Sequence, residues 1–534
     1  MSAFEGARRW TRAMIAFAAL ATLAALGSAC APAAAKANDG APPPDLLVRV
    51  AVGPVGSLRG LQAYAEAIQP GAGAQLTDQV LRAEIAKLVN ATSLDGFNPA
   101  GWTHILVSEI QGAPAFALLG EVANAGALAR TAGAARMMID KRGRWAVIGP
   151  KPLLDRIGQY ALSVIAAQPP PAAPMAAVYL PQVLARYQQQ IQAFRTTMMN
   201  SMQQQAGSGA MGQLMTAYVD GLGSLFTDSD QLIVTLETTA DAAALDFVLT
   251  PRAKSRLAAF AALQRPSDYA LLDRLPPAAR TFLFGGHLEL GPYSDGIMKV
   301  VAQICGVGAS KEMLASMNAF RDAMTGDMAM GMQLTRGTGM AMTQLYGTAD
   351  PAAAKTALDT MLDLFKAGRT LDMGNISATI KSNPGSTLHE GVVLRSYDTT
   401  YDLSKVPPAQ RQITESMMPG GTQRAQIAAF DELAVVVTAP DSLAEAKRTI
   451  AAARGKGAHF VASKTAGPLL AISRAHKDSL AALIDLGAIL GTVTGAKLAD
   501  LPMLMALGFT DRNVHLRFAL PAVTLRGMMN AAKP

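Results

Sequence analysis

Leu232-Ile-Val-Thr-Leu-Glu237, a turn at Ala240-Asp241, then Leu245, Phe247 and Leu249 alternating ahead of Pro251 form one decisive stretch. Met503-Leu-Met-Ala-Leu507, a turn at Asp511-Arg-Asn513, then Leu516, Phe518 and Leu520 alternating ahead of Pro521 form the other. An apolar residue at every second position presents one face of an extended chain to a core, and a short polar turn folds two such runs into an antiparallel hairpin. Each hairpin is expected to lead into a helix whose first turn accommodates the proline.

Working outward from these hairpins, three earlier landmarks also occur twice and in the same order. Leu46 to Val52, then Gly53-Pro54, then Leu61, Tyr64, Ala65 and Ile68 at helical spacing has its counterpart in Phe282 to Leu290, Gly291-Pro292, then Ile297, Val300, Val301 and Ile304. Phe116 to Gly120 with Asn124 corresponds to Met342 to Tyr346 with Asp350, a strand entering an Ala-rich helix. Trp145-Ala-Val-Ile corresponds to Leu433-Ala-Val-Val, each followed by a proline and a further helix. Self-similarity in a fixed order is the mark of duplication. The expected fold is therefore α+β, with two tandem repeats of mostly antiparallel sheet covered by helices, because hairpins and half-buried alternation outnumber continuous apolar strands. The repeats are placed at residues 45–265 and 281–530, with Pro266, Pro276 and Pro277 interrupting the pattern between them and extra sequence in the second copy from about Leu371 to Gln426. This layout resembles duplicated exported bacterial proteins and lipoproteins of uncharacterised function, a resemblance of architecture that implies no catalytic residues.

The N-terminus points to export. Arg8, Arg9 and Arg12 precede an uncharged run from Met14 to Leu26, too short for the roughly 20 residues that span a bilayer, so residues 1–29 are expected to be a signal peptide. Leu26-Gly-Ser-Ala29 ahead of Cys30 resembles a lipoprotein cleavage signal, although Gly27 stands where that signal carries a larger apolar residue. Ala35-Lys-Ala37 ahead of Asn38 offers a rival site that would release a soluble product. Arg8-Arg9 lacks the remainder of a twin-arginine motif. Lipidation of Cys30 is favoured because it leaves Cys305 as a lone buried thiol on a helix, whereas a disulfide would tie the terminus to that helix. Residues 30–44, rich in Ala and Pro, read as a flexible tether.

Composition excludes several classes. The chain has 534 residues, 50% hydrophobic and 16% charged, enough for a large core. Its +7 formal charge is dispersed, with no basic run interleaved with aromatics, which argues against nucleic acid. Leu480 to Val493, the most apolar late stretch, is interrupted by Asp485, Gly487 and Gly491 and reads as a core helix. The stretch from Gln182 to about Gln205 places Leu184, Tyr187, Ile191, Phe194, Met198 and Met202 on one helical stripe, suited to covering the first sheet or to forming a groove for lipid or a partner helix.

No sequence pattern nominates an active site, and no cofactor is expected. The six His show no ligand spacing, and His287-Leu-Glu289 is weighed as a structural pair before a metal pair. Met328, Met330, Met332, Met340 and Met342 alternate, which suits soft thioether ligation of Cu(I) but equally the buried face of a strand, and core packing is the stronger account. Gly207-Ser-Gly-Ala-Met-Gly212 has dinucleotide-loop spacing yet follows a Gln- and Met-rich helix instead of a strand, so it reads as a connection. Neither a G-x-S-x-G elbow nor an S-x-x-K pair is present. Asp359 and Asp363 share a helix face as solvated charges, and an aromatic content of 5% disfavours a sugar platform. The reading that survives is a non-catalytic envelope lipoprotein that binds an apolar ligand or an envelope protein. An exported hydrolase with a dispersed site and Met-based copper handling are its alternatives.

Overall fold

The computed structural model describes residues 41–54, 58–206, 221, 223–277, 281–296, 311–335, 339–372, 376–406, 411, 415, 419–494, 500–510 and 512–531. The leader, Cys30, the first ten tether residues, the rival cleavage site, the Gly207–Gly212 loop, Ile297 to Ile304 and Cys305 lie outside the described residues. The fold is α+β. Its chain forms two compact units, one of Met1–Arg195, Leu225–Arg252 and Ala519–Lys533, the other of Thr196–Ser224, Ala253–Phe518 and Pro534.

The first unit is built on β1 (Val48–Val52), β2 (Thr103–Ile110), β3 (Ala113–Glu121), β4 (Met138–Arg142), β5 (Trp145–Gly149), β6 (Met175–Tyr179), β7 (Ser229–Thr238) and β8 (Ala242–Pro251). All pairings are antiparallel, and the order across the sheet is β4-β5-β3-β2-β1-β6-β7-β8. The alternating residues of the β7–β8 hairpin meet directly, Leu232 opposite Leu249, Val234 opposite Phe247 and Leu236 opposite Leu245. One face of this sheet seals a core of Leu46, Leu106, Ala117, Leu119 and Val147 against Leu153, Leu154 and Ile157 of the helix Lys151–Tyr160. The helix Arg59–Ile68 buries Leu61, Tyr64 and Ile68. Its Tyr64 and Ile68 pack with Ala522 of the C-terminal helix Ala522–Ala531, and the Tyr64 hydroxyl donates to Leu520 O at 3.0 Å. That helix crosses β7 so closely that a β-carbon on Gly60 would overlap Thr238 O.

The second unit carries β9 (Phe282–His287), β10 (Met324–Thr335), β11 (Gly339–Thr348), β12 (Arg369–Asp372), β13 (Ser377–Ser382), β14 (Thr387–His389), β15 (Val392–Asp402), β16 (Thr422–Phe430), β17 (Leu433–Thr438), β18 (Asp478–Asp485), β19 (Pro502–Thr510) and β20 (Asn513–Pro521), the last three residues of which count with the first unit. The order is β12-β13-β15-β16-β17-β11-β10-β9-β18-β19-β20, with β14 folded back on β15. Strands β12 to β15 fall within the extra sequence noted above.

Two features of the local structure follow directly from residue chemistry. Asn124 and Asp350 each end a strand's exit by accepting a hydrogen bond from the backbone N–H three residues on, at Ala127 and Ala353, and so start the helices Ala125–Ala134 and Pro351–Leu364.

Other expectations are corrected. Pro251 and Pro521 are the last residues of β8 and β20 and lie outside the following helices. A missing N–H is tolerated at a strand end, and the helix Arg256–Ala261 starts later, capped by Ser255 Oγ from Ala258 N. Leu480 to Val493 is not one helix. Asp485 Oδ1 accepts from the N–H groups of Gly487, Ala488 and Leu501, which stops β18 and starts the helix Leu486–Thr494. The stripe from Gln182 to Gln205 breaks at Tyr187, whose hydroxyl donates to Glu109 Oε2 at 2.7 Å. The stretch is two helices, Leu180–Arg186 and Gln188–Ala206, and Phe194 is 68% exposed instead of covering a sheet. Asp359 and Asp363 are not simply solvated, because Arg395 on β15 bridges them at 2.9 and 3.1 Å.

Candidate functional site

The five methionines share one face of the second unit's sheet. Met328, Met330 and Met332 lie on β10, and Met340 and Met342 lie on β11, with Met332 directly opposite Met342 and Met340 opposite Leu334. The row continues across neighbouring strands. Val436, Gln344, Met330, Phe284, Ala482 and Met505 stand side by side, and beside them run Met342, Met332, Phe282, Ile484 and Met503. All of these side chains are half-buried. On the opposite face Leu283, Ala329, Leu345, Val435, Val437, Ala481, Leu483, Leu504 and Ala506 are fully buried. The helix Ser442–Ala453 lies on that sealed face, where Gln426 Nε2 donates to Ser442 Oγ at 3.3 Å. Leu272 also packs there, against Gly285.

The five methionines are thus partly packed and partly open, in contrast to the sealed face behind them. An antiparallel sheet commonly packs one face on a core and leaves the other open, and here the open face carries part-exposed thioethers and rings where polar side chains are the usual occupants. Phe282 and Phe284 stack at 6.5 Å, and Phe320 meets Tyr346, two residues along β11 from Gln344, edge-on at 6.0 Å. The helix Leu486–Thr494 is apolar and also half-buried at Leu486, Ile489 and Leu490. Within the row, Gln344 Nε2 donates to Met342 Sδ at 3.4 Å and to Met330 Sδ at 3.7 Å, so two thioethers converge on one point. The hollow between Lys355, Leu358, Arg395 and Ile427 holds about one water and is no ligand cavity.

Three charged clusters sit apart from this face. His287 is 1% exposed, with Nδ1 3.0 Å from Asp327 Oδ1, while Arg265 Nε donates to its Nε2 at 3.3 Å and Glu289 Oε1 lies 3.4 Å away. The sequence pair His287 and Glu289 thus does meet, but within a set of ion pairs that Arg265 completes through Asp327 at 3.0 Å. Among the described residues no group of three His, Cys, Asp or Glu could hold a metal ion, and the hydrogen bonds of His287 lead to no serine. Arg517 and Asp478 form a second cluster, 3% and 1% exposed at the side chain, with Arg517 Nη1 at 2.8 Å from both carboxylate oxygens. Ser473 Oγ donates to Asp478 Oδ2 at 2.8 Å, and the Tyr269 hydroxyl donates to Asp478 O at 2.9 Å. Burial raises the Tyr269 phenol to about 12.

The third cluster, in the first unit, was not foreseen from the sequence. Arg49 on β1 is 5% exposed, and its Nε donates to His104 Nδ1 at 3.3 Å. Its Nη1 donates to Gln168 Oε1, and it also hydrogen-bonds the Tyr179 hydroxyl, which in turn bonds Tyr160. Burial, with the adjacent Arg49 charge, drives the His104 imidazole down to about 3, so it stands neutral as an acceptor. Burial also pushes the Arg49 guanidinium below its ordinary value, with Tyr179 and Tyr160 opposing that fall.

No family model matches the chain, and no curated protein matches it. Among the described residues no helix is long and apolar enough to cross a membrane, which leaves membrane-crossing strands unaddressed. A solved structure described as crystal form III of TP0453 aligns with 49% of this chain and 97% of its own at a TM-score of 0.23 and 7% identity, values that carry no argument about fold or function.

Proposed function

We propose that the protein is a non-catalytic envelope lipoprotein, held to a membrane through Cys30, that binds an apolar ligand or an apolar segment of an envelope protein on the methionine and phenylalanine face of the second unit. One observation carries this reading: the row from Val436 to Met505 is half-buried while the opposite face of the same strands is sealed. Thioethers on flexible stems adapt to varied apolar surfaces, and an apolar area left open is favourable to cover. Purified protein should release a lipid or small molecule in native mass spectrometry or capture an envelope partner by crosslinking, and failure of both would overturn the reading. A mature N-terminal peptide carrying diacylglyceryl-Cys30 is the expected anchor, whereas a peptide beginning at Asn38 would leave export standing and remove the lipid.

A tandem duplication is part of the same proposal. Its support is the strand order, since β5-β3-β2-β1-β6-β7-β8 and β17-β11-β10-β9-β18-β19-β20 follow one path, with Asn124 and Asp350 capping helices at corresponding places. Copper handling is a second reading, favoured by the convergence of Met330 and Met342 on Gln344. It requires Cu(I) binding that disappears when Met328, Met330 and Met332 become Leu, and unchanged binding would end it.

A further inference from the structure

We propose that Arg49, Tyr179 and Tyr160 of the first unit form a binding site for the carboxylate of a small organic acid, which enters by displacing the Gln168 side chain. This site is separate from the methionine face and independent of it.

The argument begins with charge. Arg49 sits in mid-strand, opposite Leu106 on β2 and Ala177 on β6, on the sealed face beneath the helix Lys151–Tyr160. A guanidinium removed from water is costly unless an anion or a full set of acceptors replaces the solvent. The acceptors here are His104 Nδ1, Gln168 Oε1 and the Tyr179 oxygen, all neutral. Among the described residues no carboxylate forms an ion pair with Arg49. Arg517, also deeply buried, shows the contrast, for Asp478 meets its Nη1 with both oxygens.

Geometry then says where an anion would go. Gln168 is exposed, and its planar amide already occupies Nη1. A carboxylate has the same shape and adds the missing charge, so it can replace that amide oxygen with a charge-assisted hydrogen bond. Gln168 follows the turn Ala161–Ile165, bonding Ile165 O through its N–H at 3.1 Å, and precedes Pro169, Pro170 and Pro171. Those prolines hold the backbone, so opening needs only the rotation of an exposed side chain, a fast event. The Tyr179 and Tyr160 hydroxyls, already joined to Arg49 and to each other, supply the neighbouring donors.

Binding would also be felt at His104. An anion on Arg49 neutralises the charge that helps to hold the imidazole deprotonated, so the His104 pKa must rise when the site fills. The test is a titration of the full chain with sodium acetate against sodium chloride at matched ionic strength. It is read at pH 7, where acetate is ionised, by the tryptophan-monitored melting of the first unit and by the chemical shift of the His104 imidazole. The expected result is a saturable upward shift of melting and a saturable change of the His104 chemical shift with acetate alone. Arg49→Met should weaken acetate binding by about tenfold or more, the worth of a charge-assisted hydrogen bond, while Gln168→Ala, which removes the competing amide, should tighten it. Should Arg49→Met fail to fold, Gln168→Ala and the His104 chemical shift at pH 7 still decide. Equal effects of acetate and chloride, absence of saturation in both wild type and Gln168→Ala, or a response to inorganic phosphate but not to acetate would each overturn the assignment.

Discussion

Lowering the pH from 7 to 5 should cost the first unit about 2 kcal/mol through His104 alone. The imidazole is 3% exposed and titrates at about 3 in the folded chain, against about 6.5 when unfolded. A folded value below the unfolded one means that the unfolded chain binds more protons between these limits, so stability is full above about pH 6.5 and is lost as the pH falls toward 3. At pH 5 the folded imidazole is still neutral, so the loss depends on the unfolded value: about 1.5 pH units at 1.36 kcal/mol each, or about 2 kcal/mol. His104→Asn removes the titration while its amide oxygen can still accept from Arg49 Nε. Urea unfolding followed by tryptophan fluorescence isolates the effect, because Trp102 and Trp145 both lie in the first unit. Paired carboxylates such as Glu109 weaken with acid in wild type and variant alike and cancel in the difference. Identical pH dependence for the two proteins would refute the argument.

Asp478→Asn should destabilise the second unit by about 3–5 kcal/mol, because it leaves the Arg517 guanidinium buried without its anion. Faster hydrogen exchange along β18 and β19 is the readout, and a loss below about 1 kcal/mol would show that the pair is solvated. Asn124→Ala and Asp350→Ala should each cost about 1 kcal/mol and speed exchange of the Ala127 and Ala353 amides, with no change if the caps are incidental. Gly60→Ala should lower the first unit's tryptophan-monitored stability by about 1–3 kcal/mol, since the new methyl meets Thr238 O, a backbone atom that cannot swing aside.

What was legible in the sequence, and what was not, divides along the range of the interaction. The β7–β8 and β19–β20 hairpins could be read because period-two alternation and a polar turn are local, and the Asn124 and Asp350 caps because a side chain bonds an amide three residues away. Leu480 to Val493 misled because a short continuous apolar run carries no period that separates a strand from a helix. There the informative residue was Asp485, whose carboxylate takes two amides of the next turn and a third from Leu501. The Gln182 to Gln205 stripe failed because the Tyr187 side chain is held by Glu109, 78 residues earlier, a partner that no helical spacing reveals.

Arg49 and its partners lie 55 and 119 residues apart along the chain, so no spacing rule could have joined them. A weaker signal was nonetheless present. In Leu46-Leu-Val-Arg-Val50 and Leu516-Arg-Phe-Ala519 a single arginine interrupts an otherwise apolar strand. On a strand with one wet face such a charge points to water, but β1 pairs on both edges and packs on its arginine face, so the charge has nowhere to go but inside. Once buried, it must find an anion or be surrounded by neutral acceptors, and the chain does one at Arg517 and the other at Arg49. A lone charge in an apolar strand is thus a statement about the opposite partner. Where that partner is a carboxylate the charge is structural, and where it is an exposed amide such as Gln168 the position stays open to exchange with an anion from solution.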